Sequence, residues 1–404
     1  MDYELVATII FVVILGLFLL VKRKNLVLQK IAFPVLYLIL YRSKFGLKLM
    51  DSLAAKYRET IKLFGYCSIG IGFFGMLYVS VSIIMFFIKL VFHPSVAEPG
   101  VSLVLPFTNI PGVGYLPFSH WIISLFILAV VHEFCHGVVA RAHKVNVKFS
   151  GFAFFSIFLP IIPAAFVEPD EEKLKKESDV VQYSVFAAGP VINLVLALLL
   201  LFAFPYVADP TQSTYAPFEE KLTTYLGFSF DLLNESYPAA QSGLKSGMII
   251  TAVNDQAMHN YLDFHNFMQT VRPNEMLTIT TNNGVFTVTT ATSPDNQRRG
   301  FLGIKPVKNE RVMKPEYEQY GAFYYWLRGL LRWLFLLNFF IGLANLMPLG
   351  IVDGGRMLHT ALKRLYNHEE KAKKAWVFIA LLFLFILLFG LVVNYFGNPF
   401  RFFG

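Results

Sequence analysis

The run WIISLFILAVVHEFCH, residues 121–136, decides how this chain is read. Between Trp121 and Val131 only Ser124 is not hydrophobic, and His132, Glu133 and His136 follow at once. An apolar stretch of this kind reads as a membrane-crossing helix. Ionisable side chains are costly at bilayer depth, so where they occur they mark function. On a helix, positions i and i+4 lie one above the other, which puts two imidazoles on one face at a spacing suited to a single metal ion. Glu133 points some tens of degrees aside, within reach of water at that metal. The bland alternative is a helix end near the interface, with histidines capping it and a glutamate snorkelling outward.

The rest of the chain supports a membrane setting. Its 404 residues are 55% hydrophobic and 15% charged, more apolar surface than a soluble domain needs to bury. About six windows are long enough to cross roughly 30 Å of hydrocarbon as helices; they lie near residues 3–21, 63–92, 120–141, 182–206, 322–349 and 375–397. The first reads as a retained span, because Lys22, Arg23 and Lys24 follow it instead of preceding it. Cys67 and Cys135 both fall inside predicted spans, so no disulfide framework is expected.

A net charge of +8 would suit a nucleic-acid partner, but the basic residues sit in short segments beside the apolar spans and read as topology signals; no nucleic acid is expected. Residues 22–62 hold ten Lys/Arg against two acidic residues, whereas 93–119 hold no Lys/Arg at all. The positive-inside rule then places the N-terminus outside and 22–62, 142–181 and 356–374 in the cytoplasm.

Two apolar segments resist a simple span assignment. Residues 25–41 contain Lys30 and Pro34, and counting them as a span would send 42–62 outside, so an interfacial helix is expected there. The stretch from Val145 to Phe166 carries Gly151, Pro160 and Pro163 and begins with strand-like alternation. It reads as a re-entrant sheet or loop, which lipid tolerates only where protein or a wet cavity covers the backbone. Between Ala208 and Lys314 long apolar runs vanish and strand signals at 277–280 and 285–289 flank the turn Asn282, Asn283, Gly284; a helical stretch lies near 260–270. A water-soluble α+β module is expected there. The fold class is thus a polytopic α-helical membrane protein with a re-entrant segment and an inserted α+β domain. Its parts are 1–62, 63–207, 208–314 and 315–404.

Catalytic zinc takes three protein ligands and leaves one position open. The best third candidate is Asp353 in NLMPLGIVDGG, residues 345–355, where Pro348, Gly350, Gly354 and Gly355 break the helix and free the backbone to turn a carboxylate inward. Otherwise it is a loop aspartate at the membrane surface. Asn193, in AGPVIN (188–193), and Asn345 are amides within apolar spans. Each suits either a contact to an oxyanion or substrate backbone or a bond between helices. Cys135 lies close to the ligand face and reads as a small packing residue, the alternative being a competing thiolate. His143 and His359 lack ligand spacing.

Together, HEFCH at 132–136, GPVIN at 189–193 and NLMPLGIVDGG at 345–355 resemble the site-2 protease family of intramembrane zinc metalloproteases. The resemblance implies His132, His136 and Asp353 as zinc ligands, Glu133 as the base, and Asn193 and Asn345 as substrate or oxyanion contacts. The insert resembles a PDZ domain through YLGF at 225–228, PAAQSGLKSGMI at 238–249 and VND at 253–255, with Met248 where an acidic residue is usual. A PDZ domain implies an extended peptide ligand, or else a spacer without one. The expected substrate is a transmembrane protein, its unwound segment held as an added strand by the chain near Val145 to Ala153. The rival readings are a zinc transporter and a catalytically silent membrane scaffold. The charge pattern is tested by Ser52→Cys and Ser242→Cys, each introduced into a chain lacking Cys67 and Cys135. An impermeant thiol reagent is expected to label position 242 from outside the cell and not position 52; the reverse pattern would invert the topology.

Overall fold

The computed structural model describes residues 3–32, 36–93, 101–110, 113–157, 159–207, 217–350 and 352–397. Helix α1 (Tyr3–Lys22) leads into strands β1 (Leu26–Ala32) and β2 (Leu36–Ser43), helix α2 (Leu47–Lys56) and the long helix α3 (Arg58–Phe92). Helix α4 (Phe118–Ala142) is followed by strands β3 (Val147–Ile157) and β4 (Leu159–Pro169) and by helix α5 (Asp179–Val207). Next come β5 (Thr223–Leu232), β6 (Ile249–Val253), α6 (Tyr261–Met268), β7 (Met276–Thr281), β8 (Gly284–Thr289) and β9 (Ile304–Met313). Helices α7 (Gly321–Asn345), α8 (Asp353–Tyr366) and α9 (Glu369–Phe396) complete the chain.

Among the described residues, six helices (α1, α3, α4, α5, α7 and α9) are long and apolar enough to cross a membrane, as the hydropathy of the sequence requires. The fifth stops at Asn345, short of the expected 349, because Pro348 has no N–H to continue the ladder. The chain divides into two compact units, residues 1–201 with 332–404, and residues 202–331. In the first, Trp121 and Leu128 of α4 pack with Trp333 and Leu337 of α7, and Met76, Ala187, Leu346 and Met357 form a second cluster joining α3, α5 and α8. These contacts fix the helices that carry the polar motifs.

The interfacial helix expected at 25–41 is not formed. Residues 26–32 and 36–43 instead form the antiparallel strands β1 and β2, and β2 pairs antiparallel with β3 from Leu36↔Ile157 to Ser43↔Ser150. The apolar runs are rich in branched and aromatic residues, which suit a pleated surface. The deciding term is long-range: β3 would otherwise leave a row of backbone donors and acceptors without partners in an apolar setting. The resulting sheet has the order β1-β2-β3-β4. Since β3 is paired on both sides from Ser150 onward, the substrate strand expected along Val145 to Ala153 cannot add over 150–153; the outer strands are β1 and β4.

In the second unit, a sheet of order β8-β7-β6-β5-β9 packs Phe228, Phe230, Ile250, Leu277 and Ile279 against Phe264 of α6. Alternation at 276–281 buries Leu277, Ile279 and Thr281, and the Asn260 side chain caps α6 by accepting from Asp263 N–H. The first residues of the insert expected at 208–314 lie outside the described residues.

A Cβ at Gly151 would strike the backbone carbonyl of Tyr41 in β2. Gly151→Ala is therefore expected to part β2 from β3. Hydrogen–deuterium exchange should show lost protection at 38–43 with 276–289 unchanged; unaltered protection at 38–43 would contradict the pairing.

Candidate metal centre

His132 and His136 lie one turn apart on α4, with ring centroids 4.7 Å apart. Asp353 is the first residue of α8 and reaches both: its Oδ2 is 3.1 Å from His132 Nε2 and 3.2 Å from His136 Nε2, and the two nitrogens are 3.1 Å from each other. The local sequence makes this approach possible. A Cβ at Gly354 or Gly355 would collide with the carbonyls of Leu346 and Leu349, so the loop after α7 can fold onto the first turn of α8 only over glycine. Trp376 of α9 holds that turn from the other side, its indole N–H donating to Gly355 O at 2.8 Å.

The donor chemistry fits a metal ion. His136 Nδ1–H donates to Val185 O at 2.7 Å, which leaves Nε2 of the neutral ring with a lone pair. That lone pair meets a carboxylate oxygen and a second imidazole nitrogen; a proton on His132 Nε2 would bridge these atoms two at a time, whereas one cation would satisfy all three together. Bonds of about 2.0–2.1 Å in a tetrahedral site place ligand atoms about 3.3 Å apart, close to the triangle observed. Among the described residues His132, His136 and Asp353 are a group of acidic, His or Cys residues whose donor atoms lie within 4.8 Å of one another. Cys135 lies outside that group and packs with Leu47, Met50 and Val138. The acidic run at 168–172 is also outside it: Glu168 pairs with Arg42 at 3.2 Å and Glu171 with Arg356 at 3.3 Å. Asp170 N-caps the short helix after β4, and the N–H of Lys173 holds its carboxyl below the usual carboxylate range.

The three donors open onto a cavity of about 270 Å³ that Glu133, Asn345 and Arg356 also line. Glu133 Oε2 accepts a hydrogen bond from Val167 N–H of β4 at 2.9 Å. In an antiparallel pair, alternate residues turn their N–H groups outward. The bond to Glu133 marks Val167 as outward-facing, and with it Ala165 and Pro163. Pro163 lacks the N–H that an inward position would need. Asn345 faces the cavity, whereas Asn193 is fully buried with its amide 3.1 Å from His132 Nδ1. His143 bonds Ser184 and His359 stacks on Trp376, both apart from the donor group. Two contributors carried no usable signal in the sequence: Val167 N–H and Val185 C=O are backbone groups. Gly189 was legible as the first residue of GPVIN, but not its closeness to both imidazoles.

Gly189 is the clearance at the back of the site: a Cβ there would lie 2.7 Å from His132 Nε2 and closer still to His136 Nε2. Gly189→Ala is expected to lower zinc affinity by about tenfold or more while the purified chain keeps its helix content, measured by chelator competition and circular dichroism. Undiminished affinity would contradict the placement of the two rings.

Comparison with known proteins agrees with this geometry. The family model described as Peptidase family M50 matches residues 120–387, more than half of the chain, and the match takes in α4, α5, the insert, α7, α8 and most of α9. A protein of Methanocaldococcus jannaschii described as uncharacterized protein MJ0971 is 27% identical over 321 residues, 78% of this chain and 74% of that protein. With a membrane-spanning HExxH helix, a converging aspartate and this match in hand, the chain belongs to peptidase family M50, the site-2 protease family of membrane metallopeptidases.

Proposed function

We propose that this chain is a zinc metalloendopeptidase that hydrolyses peptide bonds of transmembrane proteins within the bilayer. The observation that carries the reading is the triangle of His132 Nε2, His136 Nε2 and Asp353 Oδ2, with the Glu133 carboxylate lining the same cavity. His132, His136 and Asp353 would hold the zinc. When bound, zinc supplies Lewis acidity, polarising the scissile carbonyl and making nearby water acidic around neutral pH. Glu133 takes the proton of the attacking water and returns it to the leaving amine. Asn345 faces the cavity from the end of α7 and is placed to donate to the carbonyl oxygen or to substrate backbone.

A helical substrate hides its amides in its own hydrogen bonds and must unwind before cleavage. The outer edge of β4, which no strand among the described residues pairs and which brings Phe166 and Val167 to the cavity, is suited to hold the unwound segment as an added strand once Val167 N–H is shared with or released from Glu133. This makes the β3–β4 hairpin the re-entrant element, covered by α2 and α4. The division into 1–62, 63–207, 208–314 and 315–404 follows the same reading.

The insert supports a PDZ-like assignment through its antiparallel sheet, the helix α6 beside β9 and the left-handed glycines Gly243 and Gly247 in the PAAQSGLKSG segment. Because β5 is paired on both sides, a peptide ligand would add to the outer edge of β9. Charge asymmetry favours a reading with this insert outside the cell and the metal site toward the cytoplasm. A zinc transporter would have no use for Glu133 beside the ligands, and a silent scaffold would not need the ligands.

Variants separate these readings. Glu133→Gln is expected to retain zinc and lose cleavage of a reconstituted single-span substrate by at least about 10²-fold. His132→Ala, His136→Ala and Asp353→Ala are each expected to lower zinc occupancy, read by metal analysis of the purified protein. Full activity in Glu133→Gln would overturn the peptidase reading; full zinc binding and turnover in Asp353→Ala would remove the third ligand.

A further inference from the structure

The side of α5 that carries Val185, Gly189 and Asn193 backs the donor group, and these residues recur every four positions, one stripe along a helix. Val185 lends its carbonyl to His136 Nδ1, and Gly189 supplies clearance for both rings. Asn193 stands in the same relation to His132 that Val185 has to His136: its amide nitrogen is 3.1 Å from His132 Nδ1. The amide is fully buried and lies behind the ring, away from the cavity that Asn345 faces.

We infer that Asn193 is a positioning residue that accepts the Nδ1–H of His132 and so fixes the ring tautomer whose Nε2 binds metal; it is not a contact to substrate. The inference rests on the proposal that His132 is a zinc ligand. If Nε2 gives its lone pair to a metal, Nδ1 of the neutral ring carries the hydrogen. An amide NH₂ facing that hydrogen would set two donors against each other. The two ends of an asparagine amide are equal in shape, and the oxygen, which is buried without a hydrogen-bond partner among the described residues, becomes the acceptor when they are exchanged. Metal-binding histidines generally have their second nitrogen held in this way, by a carbonyl or carboxylate that sets ring orientation and raises ligand basicity. α5 therefore serves both histidines, one through backbone and one through a side chain.

The distinguishing measurement is zinc affinity. Full-length parent, Asn193→Asp and Asn193→Leu are purified in detergent, and Zn²⁺ is titrated against a chromophoric chelator. Asn193→Leu keeps the volume and removes the acceptor, so its dissociation constant is expected to rise by about 10–100-fold. Asn193→Asp keeps an acceptor and is expected to bind zinc at least as tightly as the parent. The ligand-field spectrum of bound Co²⁺ should shift in Asn193→Leu and return in Asn193→Asp. An unchanged dissociation constant in Asn193→Leu, or an equal loss in Asn193→Asp, would overturn the inference. Should Asn193→Leu fail to fold, ¹⁵N spectra of the histidine-labelled parent decide: a protonated Nδ1 and metallated Nε2 at His132 are expected, and metallation at Nδ1 overturns it. Normal zinc affinity in Asn193→Leu with impaired cleavage would make Asn193 a substrate contact and leave the peptidase proposal standing. Weakened zinc affinity in a chain whose parent cleaves nothing would do the opposite.

Discussion

Two imidazole nitrogens and a carboxylate oxygen meet within 3.2 Å of one another among apolar helices, and much of this chain is arranged so that they can. Polar atoms of like sign do not converge in a low-dielectric interior unless something compensates them. A divalent cation would compensate all three at once, and that requirement would propagate outward. The donors must come from helices held in register, the second nitrogen of each ring must have a fixed partner, and nothing larger than hydrogen can stand beside the two Nε2 atoms at position 189.

The fold meets these demands chiefly with backbone. α4 supplies two of the converging donors from one turn, α5 backs them with a carbonyl, a glycine and an amide, and α8 begins at the third, Asp353. The loop between α7 and α8 closes over Gly354 and Gly355, so Asp353 is delivered from a helix N-terminus pressed against the chain that precedes it. β4 completes the constellation by holding Glu133 through Val167 N–H. A carboxylate bonded to an edge strand is coupled to whatever pairs with that edge, so if Glu133 is the base proposed above, its position is tied to the place where an extended segment would dock.

Much of this was legible in the sequence. The spans follow from hydropathy and length, and His132, Glu133 and His136 declare themselves because ionisable groups in an apolar run have no cheap explanation. Asp353 was legible through its helix-breaking neighbours. The strands at 26–32 and 36–43 were not. Lys30 and Pro34 within an apolar stretch suit an interfacial helix, and only the partner strand more than a hundred residues away, at 150–157, tips the balance to β. The roles of Val167 and Val185 left no trace because both act through peptide groups, which every residue carries. Asn193 was visible as a polar residue in a span, but which way its amide points depends on how α5 is rotated against α4.

X-ray absorption at the zinc edge of the full-length protein decides whether these two histidines and one aspartate form a zinc site. Two imidazole ligands at about 2.0–2.1 Å are expected, with the remaining scatterers oxygen. In Asp353→Asn the same two imidazole signals should persist on whatever zinc remains. A sulfur scatterer at about 2.3 Å, which Cys135 or Cys67 would supply, or fewer than two imidazoles in the parent, would contradict that ligand set.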